Sequence, residues 1–224
     1  MGKRGPKPKR LVDEKWSSNL AYAVGLLASD GCLSFPSHLI NLTSKDREQL
    51  ENFSTCLGLR LHIGVKPSGY GEKKNYFCVQ LKNVIFYDFL VSLGLTPAKS
   101  RTLGPLKIPR LYFFDFLRGL FDGDGCTYSY WDPRWRSSFM YYLSFASASP
   151  LFLSWVREQI EMATGAKGHV TSAKKKHSWF QLKYAKRESL LILRKMYKGY
   201  PDIIYLSRKR LKIDAMLDIV GEHL

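Results

Sequence analysis

Two short stretches of the chain repeat one another. VGLLASDGC occupies residues 24–32, and RGLFDGDGC occupies residues 118–126. Gly25, Leu26 and Asp30 recur 94 positions later as Gly119, Leu120 and Asp124, and each copy ends in Asp-Gly-Cys. A motif repeated at that distance points to two copies of one unit in one chain. The 224 residues are enough for one or two compact units with a sizeable core.

The order of elements around the two motifs supports the duplication. Ser17 or Ser18 is placed to cap a helix that runs to about Ser29, where Gly31 stops it. CLSF, LINLT, LRLHIGVK and NYFCVQLK alternate as half-buried strands, with PSGYGE (67–72) a turn before the last. SKDREQLENFSTCLGL (44–59) and NVIFYDFLVSLGL (83–95) read as helices. After the Pro-rich joint TPAKSRTLGPLKIP the order restarts. YFFDFLRGLFDGD is the repeat helix, CTYSYW and SFMYYLSF are strands, and SPLFLSWVREQIEMATG is a helix. GHVTSA and WFQLKY are strands, AKRESLLILRKMYKG is a helix, and RLKIDAMLDIVGEHL adds one more. The second copy carries about nine extra residues in its first hairpin, around WDPRWRSS. The fold class expected is α+β, with two αββαββα halves. Its divisions are a basic arm (1–16), a first half (17–96), a linker (97–110) and a second half (111–224).

Small residues recur at helical spacing: Ala21, Gly25 and Ser29 in one copy, Gly119 and Gly123 in the other. Residues four apart share a helix face. Glycine inside a helix costs about 1 kcal/mol relative to alanine, so it calls for a packing reason. Two helices in close parallel contact along that face would supply it, and would bring Asp30 and Asp124 together at one end. Two carboxylates repel each other, and a helix C-terminus carries partial negative charge. Divalent cations resolve both problems. Carboxylate, water and phosphate oxygens suit magnesium, and paired metals activate water and stabilise a leaving oxygen. An EF-hand is excluded, because position twelve counted from Asp122 is Pro133 rather than a carboxylate.

Charge points the same way. Thirty-five basic against nineteen acidic residues give +16, which favours a polyanionic partner. The sequence shows no basic amphipathic helix of the kind that lies on lipid, so nucleic acid is preferred over a membrane. No apolar run reaches a membrane span, and LVDEKW stands where a signal peptide needs an apolar stretch. Cys32, Cys56, Cys78 and Cys126 have no zinc-ligand spacing and are expected as reduced thiols. The location expected is intracellular, in the cytoplasm, nucleoid or an organelle, and not secreted.

AVGLLASDG (23–31) and LRGLFDGDG (117–125) resemble the motif of the LAGLIDADG homing endonuclease family. The second match is close. The first departs at Ala28, where an acid is usual, and at Ala23, which replaces leucine. Two motifs in one chain are similar to the monomeric branch. The resemblance covers nearly the whole chain and implies two antiparallel sheets forming a saddle that reads the major groove. It further implies double-strand cleavage leaving 3′ overhangs, and an intron-encoded or free-standing enzyme. It assigns catalysis to Asp30 and Asp124, with the metal held by these two and by the chain around them: Ala28, Ser29, Gly31, Gly123 and Gly125. The metal implied is Mg2+, with Mn2+ substituting and Ca2+ binding without efficient cleavage. Polar or basic residues at the end of the second strand would be Ser44 and Lys45, matched by Ser147 and Ala148, so the second half lacks the lysine. The lysine near the end of each half would be Lys99 and Lys209, which would polarise the attacking water, shield phosphate charge, or simply contact phosphate. Two other readings fit the same fold: an RNA maturase, and a non-catalytic sequence-specific DNA-binding regulator.

Strand alternation names the expected DNA face. Leu61, Ile63 and Val65 would face the core, leaving Arg60, His62 and Lys66 outward. Gln80 and Lys82, Gln181 and Lys183, Asn41 and Ser144 complete the outward set. Lys174, Lys175 and Lys176 form a hairpin tip, and Arg134 and Arg136 sit in the long hairpin, placed to grip phosphate. Tyr142, with Trp131, Trp135 and Tyr141, would stack on bases, pack that hairpin, or clamp sugar and phosphate.

Overall fold

The computed structural model describes residues 7–67, 76–173 and 179–224. Lys174, Lys175, Lys176 and most of the PSGYGE turn lie outside the described residues. The first half comprises α1 (Ser18–Ser29), β1 (Gly31–Ser34), β2 (Leu39–Ser44), α2 (Arg47–Cys56), β3 (Gly64–Lys66), β4 (Tyr76–Lys82) and α3 (Val84–Leu93). The second repeats the order as α4 (Phe113–Asp124), β5 (Gly125–Trp131), β6 (Phe139–Ser147), α5 (Pro150–Thr164), β7 (His169–Ala173), β8 (Trp179–Ala185) and α6 (Lys186–Met196). A further helix, α7 (Ser207–Asp218), follows. Each half holds one antiparallel four-stranded sheet, in the order β1-β2-β4-β3 and β5-β6-β8-β7. This is the expected α+β class with duplicated αββαββα order.

Local chemistry sets the helix ends. The Ser17 hydroxyl accepts from the Leu20 amide, the Asn83 carboxamide oxygen from Phe86, and the Ser149 hydroxyl from Phe152. Pro150 occupies the first turn of α5, where a missing N–H costs nothing. α1 is buried on every side from Leu20 to Ala28, which makes it the centre of the molecule rather than a surface helix.

α1 and α4 lie side by side and parallel. A Cβ on Gly25 would collide with the Phe116 carbonyl and stand 2.7 Å from the Leu120 nitrogen. A Cβ on Gly119 would collide with the Tyr22 carbonyl and stand 3.1 Å from the Leu26 nitrogen. At the C-terminal end, a Cβ on Gly123 would strike the Ser29 side chain. Contacts that advance together along both helices define the parallel direction and explain the ladder of small residues.

The strand LRLHIGVK is shorter than expected. Only Gly64–Lys66 pair with β4, so Arg60 and His62 precede the strand. Val65 pairs with Phe77 on the core-side register, but it lies on an edge strand and remains 53% exposed rather than facing the core. Tyr141 is buried, so of the aromatic residues weighed for base stacking it belongs to the core. Among the described residues no helix is long and apolar enough to cross a membrane, and all four cysteines are free thiols.

Gly25→Ala should destabilise the protein by about 1–3 kcal/mol in urea unfolding, the usual cost of overpacking. Helix propensity alone would favour the alanine by about 1 kcal/mol, so a stabilised variant would disprove the backbone contact.

Candidate metal and nucleic-acid site

The parallel helices end together, and each hands its acid to a strand. Asp30 caps α1 and is followed by β1 at Gly31, while Asp124 ends α4 and is followed by β5 at Gly125. The Asp30 carboxylate reaches across to α4, where a Cβ on Gly123 would lie 2.9 Å from its Oδ2. Burial pushes the Asp124 carboxyl up to about 6, and the neighbouring Asp30 charge adds to the shift, although the Asp124 side chain keeps access to solvent at the lip of the site. Asp30 is also raised, chiefly by burial, while a hydrogen bond from Gln49 and the charges of Lys209 and Lys99 pull it down.

Neither helix has a basic residue in its own last turn. The compensation comes from elsewhere in the chain. Lys99 Nζ donates to the carbonyls of Gly31 at 2.7 Å and Ser29 at 3.4 Å. Lys209 Nζ donates to Phe121 at 2.6 Å, Gly123 at 2.9 Å and Gly125 at 2.7 Å. Ser29 and Gly31 are the repeat equivalents of Gly123 and Gly125, so the two lysines cap the two motif helices in the same way. Both ammoniums are buried, and burial lowers both pKa values, that of Lys209 to about 8. The lysines therefore sit behind the acids, on the helix ends, instead of projecting toward a phosphate.

The surroundings of the two acids differ. Gln49 Nε2 donates to Asp30 Oδ2 at 3.0 Å, and the Ser44 hydroxyl donates to Gln49 Oε1 at 2.7 Å. Ser44 also accepts from the Asp46 amide, as Ser147 accepts from Ser149. That shared turn aligns Lys45 with Ala148 and Gln49 with Phe152. Asp124 thus takes no hydrogen bond from a side chain among the described residues. It borders a cavity of about 200 Å³ with Ala28, Ser29, Lys99, Ser147 and Ala148. Lys45 is exposed, its ammonium 5.3 Å above the Tyr76 ring.

Two residues near the site gave no clear signal in the sequence. Gln49 is nearly buried in an amphipathic helix where an exposed polar residue would be unremarkable. Asp122, the repeat equivalent of Ala28, points away from the other acids. Its Oδ2 accepts from the Tyr22 hydroxyl at 2.7 Å and from the Leu206 amide at 2.8 Å, and burial raises its pKa to about 6. It fastens the start of α7, the helix that carries Lys209.

The sheets leave one face open opposite their helices. On the first, Asn41 stands between Cys32 and Gln80, Lys82 is paired with Leu39, and Lys66 with Tyr76. His62 joins Gly64, Cys78 and Gln80 around a cavity of about 310 Å³. Arg60 is exposed ahead of β3. On the second sheet, Ser144 and Lys183 form one row, Gln181 lies in the next, and Tyr142 stacks on Tyr128 with ring centres 4.8 Å apart. Lys183 lies 5.8 Å over that same Tyr128 ring. Ser144 is only 1% exposed, donating to the Cys126 carbonyl and accepting from Gln181, so it supports Gln181 rather than presenting its own hydroxyl. Arg134 is exposed and paired to Asp132, and Arg136 is exposed at the same hairpin.

No protein-family model matches the sequence, and no curated protein matches it. Solved structures do match. I-DmoI in complex with DNA and Ca aligns over 88% of this chain and 97% of its own, with a TM-score of 0.57 at 11% identity. The I-LtrWI LAGLIDADG homing endonuclease bound to target DNA aligns over 91% of both chains, with a TM-score of 0.60 at 13% identity. This is the LAGLIDADG fold. The N-terminal LAGLIDADG domain of DUF199/WhiA shares it as well, with a TM-score of 0.55 over 92% of this chain and 91% of its own at 19% identity.

Hard oxygen donors are what this site offers a cation. Among the described residues no group of three or more His, Cys, Asp and Glu side chains converges as a metal cage. Two carboxylates, one of them without a side-chain partner and raised by its neighbour's charge, fit a divalent ion completed by water or phosphate oxygen. The Gly31, Gly123 and Gly125 carbonyls already face an ammonium, as does Ser29 more weakly, which leaves the two carboxylates as the principal donors.

A carboxyl raised in the folded state binds its proton more tightly there than in the unfolded chain. The stability it lends is greatest below pH ~4 and is lost as pH rises through about 6. Asp124→Asn should therefore melt at a higher temperature than the parent at pH 7–8, by about 2–4 °C per kcal/mol relieved, with the difference closing below pH ~4. Differential scanning calorimetry across pH checks this, and a lower melting temperature at pH 8 would contradict it.

Proposed function

We propose that this chain is a monomeric, site-specific, metal-dependent endonuclease that hydrolyses both strands of duplex DNA and leaves 3′ overhangs. The observation that carries the reading is the meeting of Asp30 and Asp124 at the joined ends of two parallel helices, where the Asp30 charge helps to hold the Asp124 carboxyl near 6. An acid pair held against its own repulsion calls for a cation. The net charge of +16 and the two open sheet faces suit a phosphate polymer.

Asp30 and Asp124 would hold Mg2+, with Mn2+ able to substitute and Ca2+ binding without efficient turnover. When bound between these two carboxylates, such an ion would supply charge stabilisation at the phosphate and would acidify water. The protein orients the donors. Gln49 fixes Asp30, Ser44 fixes Gln49, and the charges of Lys99 and Lys209 offset the negative helix ends and pull both carboxyls back toward the ionised form, which Asp124 takes above pH ~6. Water oxygen would bond to phosphorus and release its proton to solvent, as the bond to the bridging oxygen breaks and that oxygen takes a proton from solvent. In this reading Asn41, Gln80, Gln181 and Lys183 would read base edges, and Lys66, Lys82, Arg134 and Arg136 would hold phosphates. The I-LtrWI and I-DmoI structures, both solved with DNA, support this partner.

Incubation of a randomised duplex library with Mg2+ should yield products cut at one preferred site. Asp124→Asn should lose at least about 100-fold in rate, and Gln49→Ala about 10–100-fold. Cleavage should fall as pH drops below about 6, because a protonated Asp124 cannot bind the ion. Sequence-specific duplex binding without cutting in any divalent metal would instead assign the chain to the non-catalytic DNA-binding class. Preference for structured RNA over duplex DNA would assign it to the maturase class.

The unequal surroundings of the acids give a separate expectation. On a supercoiled plasmid bearing the site, nicked circles should accumulate before linear product. Simultaneous cutting would show that the Lys45/Ala148 and Gln49/Phe152 differences do not matter.

A further inference from the structure

The segment ahead of α1 is attached to the first half in a specific way. Asn83 is 6% exposed, and its carboxamide works at both ends. Its Oδ1 accepts from the Phe86 amide and caps α3, while its Nδ2 donates to the Lys9 carbonyl at 2.8 Å. Val12 is 3% exposed in the core, and Trp16 packs against Phe89 and Tyr112, with ring centres 5.9 and 6.4 Å away. The chain from Lys9 to Trp16 is therefore docked.

The anchor lies at one end of the sheet. β1 leaves the acid site at Gly31 and ends at Ser34, Ser34 pairs with Leu39, and Leu39 pairs with Lys82. Asn83 follows Lys82 directly, so Lys9 is held at the end of the first sheet farthest from Asp30 and Asp124. Lys7, Lys9 and Arg10 are all exposed there, and Arg10 makes one contact with Glu14 at 3.5 Å. Pro8 keeps Lys7 out of the helical region, which favours an extended path. Lys82 directly precedes the Asn83 anchor and is exposed, so it and these three cations lie at the same end of the first half. By the 94-residue offset the equivalent positions are Arg101, Thr102, Leu103 and Gly104, one cation against three, so the second half carries no equal cluster.

We propose that residues 7–10 are a docked arm that holds backbone phosphates of duplex DNA beyond the first-half end of the bound site, lengthening the contact on that side only. This rests on the reading of the chain as a duplex-DNA binder. Proteins that neutralise phosphates release counterions, and binding weakens with salt by about 0.9 log units per log unit for each phosphate contacted. The triple variant Lys7→Ala/Lys9→Ala/Arg10→Ala should thus lower the slope of log affinity against log salt by about 2–3 on a mixed-sequence duplex. Hydroxyl-radical footprinting on the preferred site should lose protection on one flank only. Asn83→Asp separates docking from folding. Aspartate still caps α3, since it is as good an N-cap as asparagine, but it cannot donate to the Lys9 carbonyl. It should shorten the footprint on the same flank while the melting temperature stays close to that of the parent. An unchanged slope and footprint in both variants, with the parent binding duplex DNA, would overturn the arm and leave the endonuclease reading intact. Failure of the parent itself to bind duplex DNA would overturn both.

Discussion

Everything in this molecule depends on how closely α1 and α4 approach. At Gly25 and Gly119 the backbone of one helix occupies the space where the other would carry a Cβ. That proximity makes the two halves one body and brings two helix C-termini to the same place. The arrangement is costly in electrostatic terms, because two partial negative charges and two carboxylates are gathered there. Lys99 and Lys209 answer this by donating to carbonyls 94 residues apart in the repeat. The lysines make the acid pair tolerable in the folded protein.

The symmetry stops short of the chemistry. In the first half Asp30 is steadied by Gln49 and Ser44, whereas Ala148 and Phe152 stand at the matching positions beside Asp124. Of the sixth motif positions, Ala28 lies in the core and Asp122 has become a structural acid. Asp122 binds Tyr22 on α1 and the Leu206 amide at the start of α7, so one carboxylate joins both central helices to the element that bears Lys209. Glu48 and Asp46 extend the same joint, accepting from Ser207 and Arg208. α7 is therefore packed onto both halves, and the first half obtains its capping lysine instead from the connecting turn.

The open sheet faces are also unequal. The first carries Asn41, Gln80, Lys66 and Lys82. The second carries Lys183, Gln181 and a stack of Tyr128, Tyr142 and Tyr130, in which Tyr142 is pushed up to about 12, chiefly by its hydrogen bond with Tyr130. A nucleic acid bound as proposed would meet amide and lysine chemistry on one sheet and aromatic rings on the other.

The sequence by itself determined the duplication, the order of elements, the glycine ladder and the identity of the two acids. These depend on local rules: spacing on one helix face, alternation along a strand, caps and turns. It could not show that β3 is only three residues long, because pairing partners rather than propensity end an edge strand. Nor could it show that Lys99 and Lys209 lie behind the acids, that Ser144 is enclosed, or that Gln49 touches Asp30. Lys209 reaches carbonyls 84–88 residues away, and Gln49 reaches an acid 19 residues away. Only the packed chain decides such pairs, because a side chain's role depends on which distant groups burial leaves for it to bond.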